Sequence, residues 1–352
     1  MEETDGRCSQ FHSKDGILKI TENEVKLIMR TKVLKRIPLE NMMDLKVDYA
    51  FKQLFGSEKN KEITIVFLNA ILQRTGRNSI KDITFSNTEA GGEHENDKQS
   101  RLDLLVVTNA DEWINVEIQF LSQYDMINRS IYYWAGVYRA PMPRMGYKEL
   151  RPVIAITIMN FSIFDQTERF HTTYHLSEDE EKFRLTDIME FHFIEMSKLI
   201  RDWKAEKLNP WDDLLARWLL LLGIVDRREG KVYDDIFRGL EEISMGDGTL
   251  RTAFNSWEAL SSSQEKVLAY EARLKSVLDE EAAVREAELR EQEGRKEGRL
   301  KGRQEGRQEG RQEEKEITAR RLLAKGMDID YVIEVTELNE EQVLKIKNEF
   351  IN

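Results

Sequence analysis

From Asp48 onward, apolar residues recur at steps of three and four: Tyr49 to Phe51, Leu54 and Phe55, then Ile63, Val66, Phe67, Ala70 and Ile71. That spacing predicts two amphipathic helices broken at Gly56. A polar stretch from Ser86 to Ser100, containing Gly91 and Gly92, follows and reads as a surface loop. The pattern then changes period. LDLLVV at 102–107 and INVEIQF at 114–120 read as strands around a turn from Thr108 to Trp113. In the second, Asn115, Glu117 and Gln119 alternate with Val116, Ile118 and Phe120, giving one polar and one apolar face. A helix over 125–138 and a strongly apolar strand at 152–161 complete one α/β core, with short strands expected at 170–176 and 191–196.

Residues 197–290 read as helices carrying Trp203, Trp211 and Trp218. Gly294, Gly298, Gly302, Gly306 and Gly310 then recur every fourth residue among Arg, Gln and Glu. A stripe of period four drifts by roughly 40° per repeat on a helix of 3.6 residues per turn. Each interior glycine costs about 1 kcal/mol, and Glu305 with Glu309 and Arg303 with Arg307 are like charges four apart. The expectation is therefore a solvated tether and not a lone stable helix. Beyond it, TARRLLAKG ends as a helix with a glycine stop at Gly326, and two short helices follow in MDIDYVIEVT and LNEEQVLKIKNE. Their shape suggests a helix-turn-helix, but Glu340, Glu341 and Glu349 against Lys345 and Lys347 make a poor recognition helix, so packing or self-association is the expected use.

Composition narrows the class. The chain has 352 residues, 40% of them hydrophobic and 34% charged, and no apolar run approaches the roughly 18 residues of a membrane span. A single cysteine, Cys8, excludes an internal disulfide and agrees with a reducing cytosol. The net charge of −12 opposes a nucleic-acid partner unless a basic face is set apart from the acidic residues. Residues 1–42 show no sustained period and read as a weakly ordered extension. Translation starting at Met42 or Met43 is one reading, since the first amphipathic pattern begins directly afterwards.

Two acids stand out chemically. Asp103 starts one strand and Glu117 lies within the next, so a hairpin that puts them on one face would let both carboxylates reach one hard cation such as Mg²⁺. A slip of one residue would place them on opposite faces, and the spacing leaves both registers open. Taken without context, each acid also reads as an ordinary exposed strand residue. Asp48 and Lys52 lie four apart on the first helix, the spacing of a surface salt bridge. Tyr132, Trp134 and Tyr138 at helical spacing read as packing, although Arg129, Tyr132 and Tyr133 have the chemistry to contact phosphates and bases. His171 and His175 are the one histidine pair with ligand spacing, in the β-prone setting HTTYH, which makes a zinc site a poor reading. Walker A, dinucleotide and nucleophile-elbow motifs are absent.

LKVDYAFKQLFG at 45–56, DKQSRLDLLVV at 97–107, NVEIQF at 115–120, NRSIYYWAGVY at 128–138 and RPVIAITIMNF at 151–161, followed by the EGR repeat and a helical tail, resemble the PD-(D/E)XK nuclease family transposases, or recombination-promoting nucleases. The resemblance covers residues 43 to 352. It implies a restriction-endonuclease-like α/β fold, a mixed central sheet flanked by helices and followed by a helical C-terminal region. It also implies a bacterial, cytoplasmic endonuclease that hydrolyses DNA phosphodiesters with Mg²⁺, or Mn²⁺, in recombination or transposition. The residues matching the family's site are Asp103 and Glu117 as metal ligands, with Gln119 where a lysine is usual. A neutral amide cannot act as a cation or as a general acid or base, but it can orient water or a phosphate oxygen. The resemblance places Lys98 just before the Asp103 strand, where it could supply charge, and puts Asp48 beside the site as an outer carboxylate; a mobile surface lysine and the Asp48–Lys52 pair are the plainer readings.

The expected organisation is a nuclease-like domain over 43–200, a helical region over 201–290, the tether over 291–316 and a helical tail over 317–352. The competing function is a DNA-binding or regulatory protein with weakened catalysis, acting through self-association and the tail. A third reading makes the charged repeat an assembly element.

Overall fold

The computed structural model describes residues 37–86, 89–90, 100–121, 125–140 and 146–349. The chain divides into two compact units, residues 1–279 and 280–352.

In the first unit the two expected amphipathic helices are α1 (Asp48–Phe55) and α2 (Lys61–Ile71). They are followed by strands β1 (Ile83–Phe85), β2 (Leu104–Thr108) and β3 (Trp113–Gln119), helix α3 (Met126–Arg139), and strands β4 (Val153–Met159), β5 (His171–His175) and β6 (Met189–Glu195). The sheet is mixed, in the order β1-β2-β3-β4-β6-β5. β3, β4 and β6 run parallel, while β1, β2 and β5 join antiparallel. β4, the central parallel strand, reads as a nearly continuous apolar run because helices cover both of its faces, whereas β3 and β6 carry polar residues at alternate positions. One face packs under α3 through Leu105, Trp134, Val137, Ala155 and Phe191. On the other lie α1, α2, α5 (Leu214–Gly223), α6 (Asp234–Gly246), α7 (Gly248–Ser262) and the start of α8 (Gln264–Ala324), while α4 (Met196–Lys204) continues directly from β6. Phe51, Phe55, Phe67 and Trp218 form an aromatic chain through that layer, with Phe51 and Phe55 rings 4.8 Å apart and Phe55 and Phe67 4.5 Å apart.

The hydrophobic core runs without a break across position 200: the residues of α5 to α7 pack in one cluster with those of α1, α2 and β2 to β4. Part of the expected extension is packed as well. Met42 and Met43 are buried, Ile37 and Leu39 pack against the core, and Arg227 donates to the Glu40 and Met42 carbonyls. Residues 1–36 lie outside the described residues, as does most of the loop expected over 86–100; within it Glu89 and Ala90 pair antiparallel with Arg101 and Ser100.

The glycine repeat corrects the sequence reading. Residues 291–316 are helical throughout, within the 61 residues of α8. The segment has no proline and is rich in Arg, Gln, Glu and Lys, and Glu291–Arg295 and Lys301–Glu305 pair at i,i+4 within it, which offsets part of the penalty of the five glycines. In the second unit α8 ends before Gly326, whose φ of +76° gives the left-handed stop, and α9 (Ile329–Thr336) and α10 (Glu340–Glu349) follow. Ala319, Val332, Leu338, Val343 and Ile346 form its own small core. No helix among the described residues is long and apolar enough to cross a membrane.

Candidate active site

The site begins with a turn. Between β2 and β3, the Thr108 N–H donates to the Glu112 carbonyl at 2.9 Å, the Asp111 N–H donates to the Thr108 carbonyl at 3.0 Å, and Asp111 takes the left-handed conformation that Asp tolerates. Glu112 is clamped by both guanidinium nitrogens of Arg74, at 2.6 and 2.9 Å, which ties the turn to the end of α2. This anchored turn sets Leu104 opposite Val116 and Leu105 opposite Asn115. One step further along the same register, Asp103 meets Glu117.

Asp103 lies where the chain bends into β2, and its contacts lock it to β3. Its N–H points to Glu117 Oε1 at 3.4 Å, and its own Oδ2 accepts from the Ile118 N–H at 2.9 Å. Its Oδ1 meets Lys52 Nζ at 3.0 Å. Both acids are buried, at 7% and 4% exposure. Burial pushes the Asp103 carboxyl above its ordinary range, and the Asp48 carboxylate adds to the rise; the Lys52 ammonium and the Ile118 N–H oppose it. Glu117 is pushed well above its ordinary range by burial first and by the Asp103 charge second, against Arg129, the Asp103 N–H and Lys52. Two adjacent carboxylates in a dry setting, only partly compensated, are arranged to gain from a further cation.

Gln119 lies two residues beyond Glu117 on the same face of β3 and is also buried. Asp48 does not pair with Lys52 as its spacing suggested. Arg273 Nε of α8 lies 2.8 and 2.9 Å from its two carboxylate oxygens, which leaves Lys52 to turn to Asp103. Only the fold brings Arg273 to Asp48, across 225 residues of sequence. Lys98 lies outside the described residues. Arg129, on α3, donates to the Tyr133 hydroxyl at 2.9 Å, while Tyr132 is exposed. Lys52 is the residue that sequence reasoning missed; the available signal was a cation on the polar edge of an otherwise buried helix.

The family model of the PD-(D/E)XK nuclease family transposases matches residues 45–287. The chain belongs to that family. The matched span takes in the whole sheet, the Asp103–Glu117 pair and the helices α1 to α7. No curated protein and no solved structure matches the chain.

In this PD-(D/E)XK chain the donor set suits a hard divalent ion. Two carboxylates with the remaining coordination left to water and phosphate oxygens is the pattern by which Mg²⁺ is usually held. Among the described residues no group of three or more His, Cys, Asp or Glu side chains could hold a metal ion. That covers the histidines as well: His171 and His175 do share a strand, but His171 Nε2 faces His192 Nδ1 at 2.8 Å and His175 Nε2 faces Glu190 at 3.5 Å. His171, His192 and Glu190, with Arg169 and Thr173, line a cavity of about 720 Å³ against β5 and β6, apart from the acid pair.

Proposed function

We propose that the chain is a divalent-metal-dependent endonuclease acting on DNA, using Mg²⁺ or Mn²⁺ in recombination or transposition, with residues 43–200 carrying the nuclease-like domain. The observation that supports this reading most directly is the opposition of Asp103 and Glu117 on one face of the β2–β3 hairpin, each cross-linked to the backbone of the other strand. These two carboxylates would hold the ion. A bound divalent cation supplies Lewis acidity to a phosphoryl oxygen and lowers the pKa of water. The protein's own part is to orient: the Ile118 N–H fixes one Asp103 oxygen, and Gln119, beside Glu117, presents an amide able to position the attacking water or a phosphate oxygen. Self-association through the C-terminal helices belongs to the same proposal.

The test is cleavage of supercoiled plasmid with Mg²⁺, Mn²⁺, Ca²⁺ or EDTA, using wild type beside Asp103→Ala and Glu117→Ala, with folding checked by circular dichroism. Nicking that needs Mg²⁺ or Mn²⁺ and disappears in both variants is the expected result. A well-folded wild type that cuts nothing, or variants that cut equally well, would remove the assignment. Light scattering of the full chain beside one lacking residues 291–352 tests self-association, and equal masses per chain would end that part.

A further inference from the structure

We propose that Lys52 of α1 supplies the cationic group at the scissile phosphate that Gln119 cannot supply. The inference rests on the nuclease reading above. A lysine is usual two positions after the second acid of this motif, and a neutral amide there leaves the charge that builds on the phosphoryl oxygens without an ammonium partner. Lys52 reaches the same place from a different element: its Nζ lies 3.0 Å from Asp103 Oδ1, the oxygen not engaged by the Ile118 N–H.

Three features make this more than a surface ion pair. First, the base of the side chain is rigidly placed, because Ala50, Phe51, Leu54 and Phe55 around it are all fully buried. Second, the carboxylate that would pair with Lys52 along its own helix, Asp48, is engaged by Arg273. Third, the Lys52 side chain is 33% exposed whereas the Asp103 side chain is 8% exposed, so the ammonium stands at the solvent edge of the acid pair, where a phosphodiester must approach. A second cation among the described residues, Arg129, acts on Glu117 from α3 and gives its Nε to the Tyr133 hydroxyl.

In the hydrolysis a bond forms between the water oxygen and phosphorus as the bond from phosphorus to the leaving sugar oxygen breaks. The water gives a proton to solvent and the leaving oxygen takes one from solvent. Lys52 keeps its proton throughout, donating a hydrogen bond to a non-bridging phosphoryl oxygen as negative charge accumulates there.

The experiment compares Lys52→Met, Lys52→Arg, Arg129→Met and the double variant Lys52→Met with Gln119→Lys, in single-turnover plasmid cleavage with Mn²⁺. Mn²⁺ affinity is measured in parallel by electron paramagnetic resonance. The expected result is a loss on the order of 10²- to 10³-fold in Lys52→Met at unchanged or tighter Mn²⁺ binding, partial activity in Lys52→Arg, and recovery of at least about tenfold when Gln119→Lys is added. Lys52→Met cutting within about threefold of wild type would overturn the proposal, since that is far below the loss from removing one preorganised donor. So would a parallel loss of Mn²⁺ binding, which would make Lys52 a holder of Asp103, or a loss confined to Arg129→Met. A wild type inert with every metal overturns the nuclease reading and this inference together; an active wild type with an active Lys52→Met overturns this inference alone.

Discussion

Asp103 and Glu117 face each other one step beyond the end of the β2–β3 ladder, the N–H of the former directed at Oε1 of the latter at 3.4 Å. Burial raises both carboxyls, the Asp48 charge adding to the rise of Asp103 and the Asp103 charge to that of Glu117, so the pair is held at a cost to the folded state in the absence of a divalent cation. Glu117→Gln keeps the shape and removes the repulsion. The folded protein is expected to gain about 1 kcal/mol in urea denaturation at pH 7 without divalent metal, while cleavage falls at least about 100-fold. A destabilised Glu117→Gln would show that the pair is already balanced without metal.

Asp44 and Lys46 form a fully buried ion pair 2.9 Å apart, in which Lys46 also donates to the Val225 carbonyl at 2.7 Å and Asp44 accepts from the Arg227 N–H at 2.9 Å. It fastens the segment before α1 to the end of α5. Lys46→Met leaves a buried carboxylate without its cation and is expected to cost about 3–5 kcal/mol in urea denaturation, whereas Asp44→Asn combined with Lys46→Met costs less than the single change. Equal losses in the single and double variants would contradict this coupling.

His171 gives the fold a pH dependence. Burial, then the charges of His192 and Arg169, push its imidazole down to about 4 from an ordinary 6.5. The unfolded chain therefore binds a proton between pH 6.5 and 4 that the folded chain refuses. Stability from this site is complete above pH 6.5 and is lost as pH falls toward 4, by at most about 3 kcal/mol. Glu190, held at about 2 from an ordinary 4.5 chiefly by its hydrogen bond with His192, costs stability mainly below pH 4.5, at the lower edge of that window. His171→Gln should flatten the fall in melting temperature between pH 6.5 and 4, and an unchanged slope would assign it elsewhere.

The five repeat glycines of α8 have open space where a Cβ would stand. Replacing Gly298, Gly302 and Gly306 by alanine is expected to stabilise the helix by up to about 1 kcal/mol per site, read as a higher melting temperature of the helical signal at 222 nm. A lower one would mean that close approach of a partner needs the missing side chains.

Much of this chain is legible without its coordinates, for a physical reason in each case. The period of α1 and α2, the alternation in β3 and the apolar run of β4 follow from which faces are buried, and these patterns mark the elements locally. The acids are legible as candidates because they sit on strands where the family's motif puts them. Their register is not, because it depends on the turn from Thr108 to Glu112 and on Arg74, which reaches it from the end of α2. The partners of Asp48 and Lys52 are illegible for a similar reason. Spacing on one helix offered each to the other, while tertiary packing brought Arg273 to the first and Asp103 to the second. The repeat shows the opposite failure: a tally of local penalties argued against a helix, yet the segment is helical, with good helix formers and i,i+4 ion pairs offsetting part of that cost. The sequence by itself determined most of the elements and the family, and offered the acids as candidates, because these depend on short-range pattern. Which side chains meet was decided only by tertiary structure, because electrostatic partners are chosen by proximity in space and not by separation along the chain.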